Sequence, residues 1–175
     1  MMELLMINKQ KVADILQVAI GYSEKEFNVF IDEAQNFDFK PIVNEKFYYE
    51  LLSKKEDGDV WQKLLDGGPY TFEGSTYYTK GIAHVLAYFT YARFIRKSNN
   101  VSTSHGFVTK TNSHSTPLSL DEKNNMYYKY KADANIILTD IKTFIERNIS
   151  DYPSWNSDTN CTTKNKRRFK TSVLQ

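Results

Sequence analysis

Three histidines, a single cysteine and a few carboxylates are the residues of this 175-residue chain best suited to catalysis or metal binding. Their spacing does not bring them to one point. His105 and His114 share a Ser/Thr/Asn-rich segment that contains no Asp or Glu. A metal there would need ligands from elsewhere in the chain. The serines around them invite a nucleophile–base reading, but no third group that would orient the imidazole is visible. Asp32 and Glu33 are adjacent, and neighbours on a helix point about 100° apart, so they read as a solvated face rather than a converging acid pair. Gly67-Gly68-Pro69 lacks the strand before it and the Lys-Ser/Thr after it that a phosphate loop requires. His84 lies in an apolar stretch and reads as a hydrogen-bonded core or interface histidine. The lone Cys161 excludes an internal disulfide framework and a multi-cysteine metal centre, and it fits a reducing compartment. The residues therefore predict no enzyme, with no catalytic residues, no metal and no cofactor.

Charge points elsewhere. The 23 basic and 21 acidic residues give a net charge of +2. Residues 156–175 hold Lys164, Lys166, Arg167, Arg168 and Lys170 against Asp158, a net of +4, which leaves −2 for residues 1–155. The basic character is thus a C-terminal tail, with Phe169, Val173 and Leu174 as its apolar anchors. Such a tail is expected to lack order by itself and to meet phosphates or an acidic partner chain. Aromatic residues make up 14% of the chain, including 12 Tyr and 11 Phe, which directs attention to an assembly surface. The N-terminal segment has no basic n-region followed by a long apolar run, so it does not read as a signal peptide. The most apolar stretch, Gly81–Ile95, carries His84, Thr90 and Arg93, and it is too short and too polar for a membrane span. The expectation is a soluble protein with one domain over 1–155 and a basic tail over 156–175.

Periodicity predicts the elements that must position these groups. Val12, Ile15, Leu16 and Ile20 suggest a short helix over Lys9–Ile20. Ser23 and Glu26 have the spacing of a capping box, followed by an apolar face of Phe27, Phe30, Ile31, Ala34 and Phe37. Phe47, Leu51 and Leu52 predict a helix ending near Lys54. Asp59 is placed to cap a short helix through Trp61 and Leu65 that stops at Gly67-Gly68. Pro69–Gly74 reads as a turn, and Ser75 as the cap of a central helix running to Lys97, apolar on nearly all sides. Residues 98–117 read as a long arm whose middle, Gly106–Thr111, suits an extended strand or hairpin. Ser119 and Glu122 form a second capping-box pattern. It opens a helix to about Asn148, roughly 40 Å long at 1.5 Å per residue. The expected core pairs the last two helices through Leu86, Phe89, Ile137 and Ile141. The fold class expected is all-α, a bundle of four to five helices with a projecting arm and an extended C-terminal tail.

One string gives a more specific expectation. Tyr77-Tyr-Thr-Lys-Gly-Ile-Ala-His-Val-Leu-Ala-Tyr-Phe-Thr-Tyr-Ala-Arg-Phe-Ile95 is followed by Thr103-Ser-His-Gly-Phe-Val-Thr-Lys110, by Ser115-Thr-Pro-Leu118, and by a long helix closing on Tyr152-Pro-Ser-Trp155. With Phe30–Gln35 and Pro41–Leu52 upstream, this resembles the head-to-tail connector, or adaptor, proteins of tailed bacteriophages, and among them the ring proteins of crAss-like short-tailed phages. The resemblance covers about residues 23–155, and its motifs are aromatic rather than catalytic. It implies a structural virion protein of the neck, assembled in the host cytoplasm, with no catalytic residues. It implies a homo-oligomeric ring of about twelve copies below the portal protein, continuing the DNA channel and contacting further neck or tail proteins, with no membrane partner. It assigns His105, Gly106, Phe107, Val108 and Lys110 to a projecting arm. It assigns Lys164, Lys166, Arg167, Arg168, Phe169 and Lys170 to partner binding. The alternative reading is a small helical nucleic-acid-binding or regulatory protein that uses the basic tail, which steep salt dependence of binding would reveal.

Overall fold

The computed structural model describes residues 5–18, 21–55, 58–97 and 117–155 in full, and residues 100–103 and 106–109 by their backbone. Six α-helices and two hairpins follow in the order α1 (Lys9–Ile15), α2 (Glu24–Glu33), a π-helical turn (Ala34–Phe39), a 3-10 turn (Lys40–Ile42), α3 (Glu45–Lys54), α4 (Gly58–Asp66), β1 (Gly68–Phe72), β2 (Ser75–Thr79), α5 (Ile82–Lys97), β3 (Asn100–Thr103), β4 (Gly106–Thr109) and α6 (Leu120–Arg147). The protein is mostly helical, as the periodicity predicts. The β1–β2 hairpin and the sixth helix correct the all-α, four-to-five-helix expectation, while the β3–β4 hairpin falls within the segment 98–117 where a strand or hairpin is expected.

The largest correction falls at residues 68–81. Ser75 does not cap a helix. It opens β2, which pairs antiparallel with β1 in the register Gly68↔Thr79, Pro69↔Tyr78, Tyr70↔Tyr77, Thr71↔Thr76 and Phe72↔Ser75. Glu73 and Gly74 both have positive φ, 49° and 76°, the signature of a two-residue type I′ turn. At the other end Gly67 and Gly81 pass backbone to backbone. A Cβ on Gly81 would overlap the Gly67 nitrogen and the Leu65 carbonyl oxygen, and both glycines have positive φ.

α5 then runs through the middle of the molecule. Ile82, Ala83, Val85, Leu86, Ala87, Phe89, Thr90, Ala92 and Ile95 are all buried, as expected of a helix with neighbours on several sides. α6 packs along it more extensively than any other element does. The expected core residues Leu86, Phe89, Ile137 and Ile141 are buried between them. α6 starts as its sequence predicts. The Ser119 side chain accepts from the Glu122 backbone N–H, and the Glu122 carboxylate accepts from the Ser119 N–H at 2.9 Å. The Ser23/Glu26 pattern does not behave alike, since the Ser23 side chain makes no capping bond. Asp59 also does not cap α4. That helix begins at Gly58, and Asp59 sits in its first turn.

The C-terminal turn closes the core from the side of α3 and α4. Trp155 stacks edge-on against Phe47 at 4.9 Å, and Tyr152 lies edge-on to Trp61 at 5.4 Å. The Tyr152 hydroxyl donates to the Val60 carbonyl, and the Asn44 side chain caps α3 while donating to the Ser154 carbonyl at 3.0 Å.

Half-buried at the start of α5, His84 has an imidazole held below its ordinary value of 6.5, chiefly by burial. The unfolded chain therefore binds the proton first on acidification. Its contribution to stability is complete above pH 6.5 and is lost as pH falls from there toward the folded-state value. The thermal midpoint is expected to drop between pH 7.5 and 5.5, and His84→Gln should flatten that part of the profile. A slope unchanged by the substitution would assign the acid sensitivity to other groups.

Candidate assembly surface

Among the described residues no group of three His, Cys, Asp or Glu side chains is placed to hold a metal ion, and no helix is long and apolar enough to cross a membrane. An open cleft of about 580 Å³ runs beside α1 and α4. Its charged groups are occupied: Lys11 pairs with Asp66 at 2.8 Å, Lys55 donates to the Leu5 carbonyl at 2.7 Å, and Asp14 accepts from the Gln10 amide at 2.7 Å. The cleft offers no converging acid and base. The distinctive chemistry lies on the outer surface.

α6 is the element that presents it. One side carries Ala134, Ile137, Leu138, Ile141, Phe144 and Ile145 into the core. At 100° per residue the opposite side is centred on Asn125, Tyr128, Ala132, Asn135, Ile136, Thr139 and Thr143. All seven are exposed, with Tyr128 at 65% and Ile136 at 64%. None is charged. This stripe spans 19 residues, about 27 Å of helix. A solvated helix face ordinarily carries its charges there. In α6 the charges stand on both flanks, as Glu122, Lys129, Asp133 and Asp140 on one and Lys131 and Lys142 on the other, and at the ends of the stripe, as Asp121 and Glu146.

The first hairpin adds a second surface of the same character. Alternation along the strands turns Tyr70, Phe72 and Tyr77 toward α6. Tyr70 stacks on Tyr77 at 5.6 Å and meets the edge of Phe144 at 4.8 Å. The Arg147 guanidinium lies 4.3 Å from the Tyr77 ring and 4.9 Å from Phe72, and it donates to the Tyr70 hydroxyl at 3.0 Å. This cluster clamps the hairpin to the C-terminal end of α6. The other face shows Pro69, Thr71, Thr76 and Tyr78 to the exterior, with Tyr78 70% exposed. It too is uncharged. Exposed Glu73 marks the turn and exposed Lys80 the root.

A cluster of ions fixes α6 in place. Asp38, on the π-helical turn, accepts from Arg93 Nε of α5 at 2.5 Å and from Lys131 Nζ of α6 at 2.9 Å. Glu33 accepts from Arg93 at 3.0 Å and from Lys97 at 2.6 Å. Burial pushes the Glu33 carboxyl up, but the hydrogen bonds from Lys97 and Arg93 outweigh it and hold the group below the usual carboxylate range. Asp32 does not join this cluster, because Asn36 takes its side chain at 2.8 Å. Asp32 and Glu33 thus point to different partners, as their adjacency predicts, but Glu33 is drawn into the ion cluster rather than left on a solvated face.

Of the residues singled out from sequence, Lys164, Lys166, Arg167, Arg168, Phe169 and Lys170 lie outside the described residues, as do His105, His114, Lys110 and Cys161. Gly106, Phe107 and Val108 belong to β4, which pairs with β3 through Val101↔Val108, Ser102↔Phe107 and Thr103↔Gly106. The sequence reading of α6 followed only its buried side and missed the uncharged outer stripe. The signal was present as seven positions at helical spacing without a charge. Phe37, expected in the core with Phe27 and Phe30, is instead 67% exposed. The wider π turn brings Asp38 and Phe39 inward in its place.

These features define a class: a mostly helical protein with two hairpins, whose distinctive region is an uncharged outer surface rather than a reactive cleft. Residues 39–165 match a family of unknown function (DUF6712), and the chain belongs to that family. No curated protein and no solved structure matches it.

Proposed function

We propose that this chain is a structural subunit of a phage neck, a head-to-tail connector that assembles with copies of itself into a ring beneath the portal and continues the DNA channel. The observation that carries the reading is the uncharged outer stripe of α6, an extended rigid face suited to side-by-side packing of identical chains. The sequence resemblance supplies the connector assignment. A body charge near zero suits a channel wall along which DNA slides. In this reading the helices form the bundle of the ring wall. The segment 98–117, with the β3–β4 hairpin in it, is the projecting arm, and 156–175 is the extension that meets the portal or another neck protein.

Electron microscopy and sedimentation of the purified protein, alone and with a portal, test the reading. Rings alone or on the portal support it. A monomer that ignores the portal and binds DNA with a steep loss of affinity as salt rises would favour the nucleic-acid reading of the basic tail instead.

A truncation separates tail from body. Removing residues 156–175 should leave the thermal unfolding midpoint nearly unchanged, since Trp155 already closes the core against Phe47. The same truncation should abolish docking to the portal. Normal docking by the truncated chain would move the portal contact to the helical body.

A further inference from the structure

We infer that the outer stripe of α6 and the outer face of the β1–β2 hairpin are the two halves of one contact, so that the helix of one copy lies on the hairpin of the next. The inference rests on the self-assembly proposed above and specifies its geometry.

Both surfaces are exposed, uncharged and led by a large apolar side chain, Ile136 on the helix and Tyr78 on the hairpin. Burying two uncharged faces together strands no ion, whereas either face against a charged one would. Two charges of one flank, Lys129 and Asp140, match the hairpin's charged ends in sign and in spacing, with Asp133 between them. Lys129 and Asp140 are eleven residues apart, close to three helical turns. They therefore stand on the same flank, about 16 Å apart along the axis. Glu73 at the hairpin turn and Lys80 at its root are separated by about 17–20 Å along the strands, and the long Lys and Glu side chains absorb the difference.

Setting Lys80 beside Asp140 fixes the rest of the register. Tyr78, two strand residues from Lys80, then falls about 7 Å along. Ile136, four helix residues from Asp140, falls about 6 Å along. Thr76 meets Ala132 in the same way, and Glu73 arrives at Lys129. The small side chains at Ala132 and Thr139 let a flat sheet face approach the helix closely. The two faces differ and belong to separate parts of the surface, so each copy retains one free face after pairing. That is a heterologous contact, which closes into a ring when the rotation between copies divides the circle.

Directed disulfides test the pairing in full-length protein with Cys161→Ser as background. Tyr78→Cys and Ile136→Cys chains, each checked for an unchanged circular dichroism spectrum, are mixed and mildly oxidised. Disulfide-linked dimers of unlike chains are expected, and a chain carrying both substitutions should give a ladder of multimers. In parallel, Glu73→Lys should raise the concentration needed for assembly about tenfold, and Lys129→Glu in the same chain should restore it. Cross-linking of Ile136→Cys with itself would overturn the inference in favour of a two-fold helix pair. Absence of cross-links in a protein that still assembles would overturn this contact but not the ring. A wild-type chain that stays monomeric with and without portal would overturn both.

Discussion

Replacing Asp38 with alanine is expected to cost about 3–5 kcal/mol, measured by urea unfolding, because the change removes one partner from a buried ionic cluster. Asp38 is buried and takes Arg93 from α5 and Lys131 from α6 at once. Without it, Arg93, 17% exposed, loses one of its two acids, and Lys131, 32% exposed, loses its carboxylate partner. Arg93 retains Glu33, while Lys131 keeps the Tyr127 hydroxyl at 3.4 Å and the faces of the Tyr127 and Phe89 rings. Asp38→Asn keeps an acceptor and should cost less than alanine. A loss below about 1 kcal/mol for the alanine variant would mean that water replaces the carboxylate and that the cluster does not hold α6 to the π turn.

Phe89→Ala should be comparably damaging, about 3–5 kcal/mol, since it empties an aromatic volume from the α5–α6 seam. Phe89 is 2% exposed, and Lys131 passes over its ring at 6.0 Å. The ring therefore supports the same cation that Asp38 binds. Contact between the two sites makes their effects non-additive, so the double variant should lose measurably less or more than the sum of the singles. A cost below about 1 kcal/mol for Phe89→Ala would mean the helices collapse onto the space and that the seam is not tightly packed.

What the sequence discloses divides by range. The α5–α6 core and the cap of α6 are local or periodic signals. They appear as Leu86, Phe89, Ile137 and Ile141 at helical spacing and as Ser119 with Glu122. The first hairpin was also written locally, as Thr76, Tyr77, Tyr78 and Thr79 after Glu73-Gly74. It reads as the opening of a helix because Tyr78 and Ile82 continue the spacing of the helix behind them. Enrichment in β-branched and aromatic residues decides such cases, and here it decides for the strand. The π turn has no comparable mark. One extra residue in a turn moves Phe37 outward and Asp38 inward, and the reward for that shift is ionic contact with residues 55 and 93 positions away. Contacts of that range depend on the assembled fold and leave no periodic trace. The Ser23 and Glu26 pair shows the converse, a correct spacing whose bond does not form.

The crossing of Gly67 and Gly81 makes the α4–α5 junction a port. The chain leaves the helical body and re-enters it at one point, so the length and composition of what lies between can change without displacing either helix. The hairpin is then an exchangeable cassette, tied to the body through the aromatic and Arg147 cluster over Phe144 and through buried Thr79 at its root. A shorter or different insert would need to cover Phe144, fill the space of buried Tyr70 and Thr79, and keep both glycines. Within a family built on this body, diversity of contacts is expected to concentrate between these two glycines, while α5 and α6 stay constrained by each other.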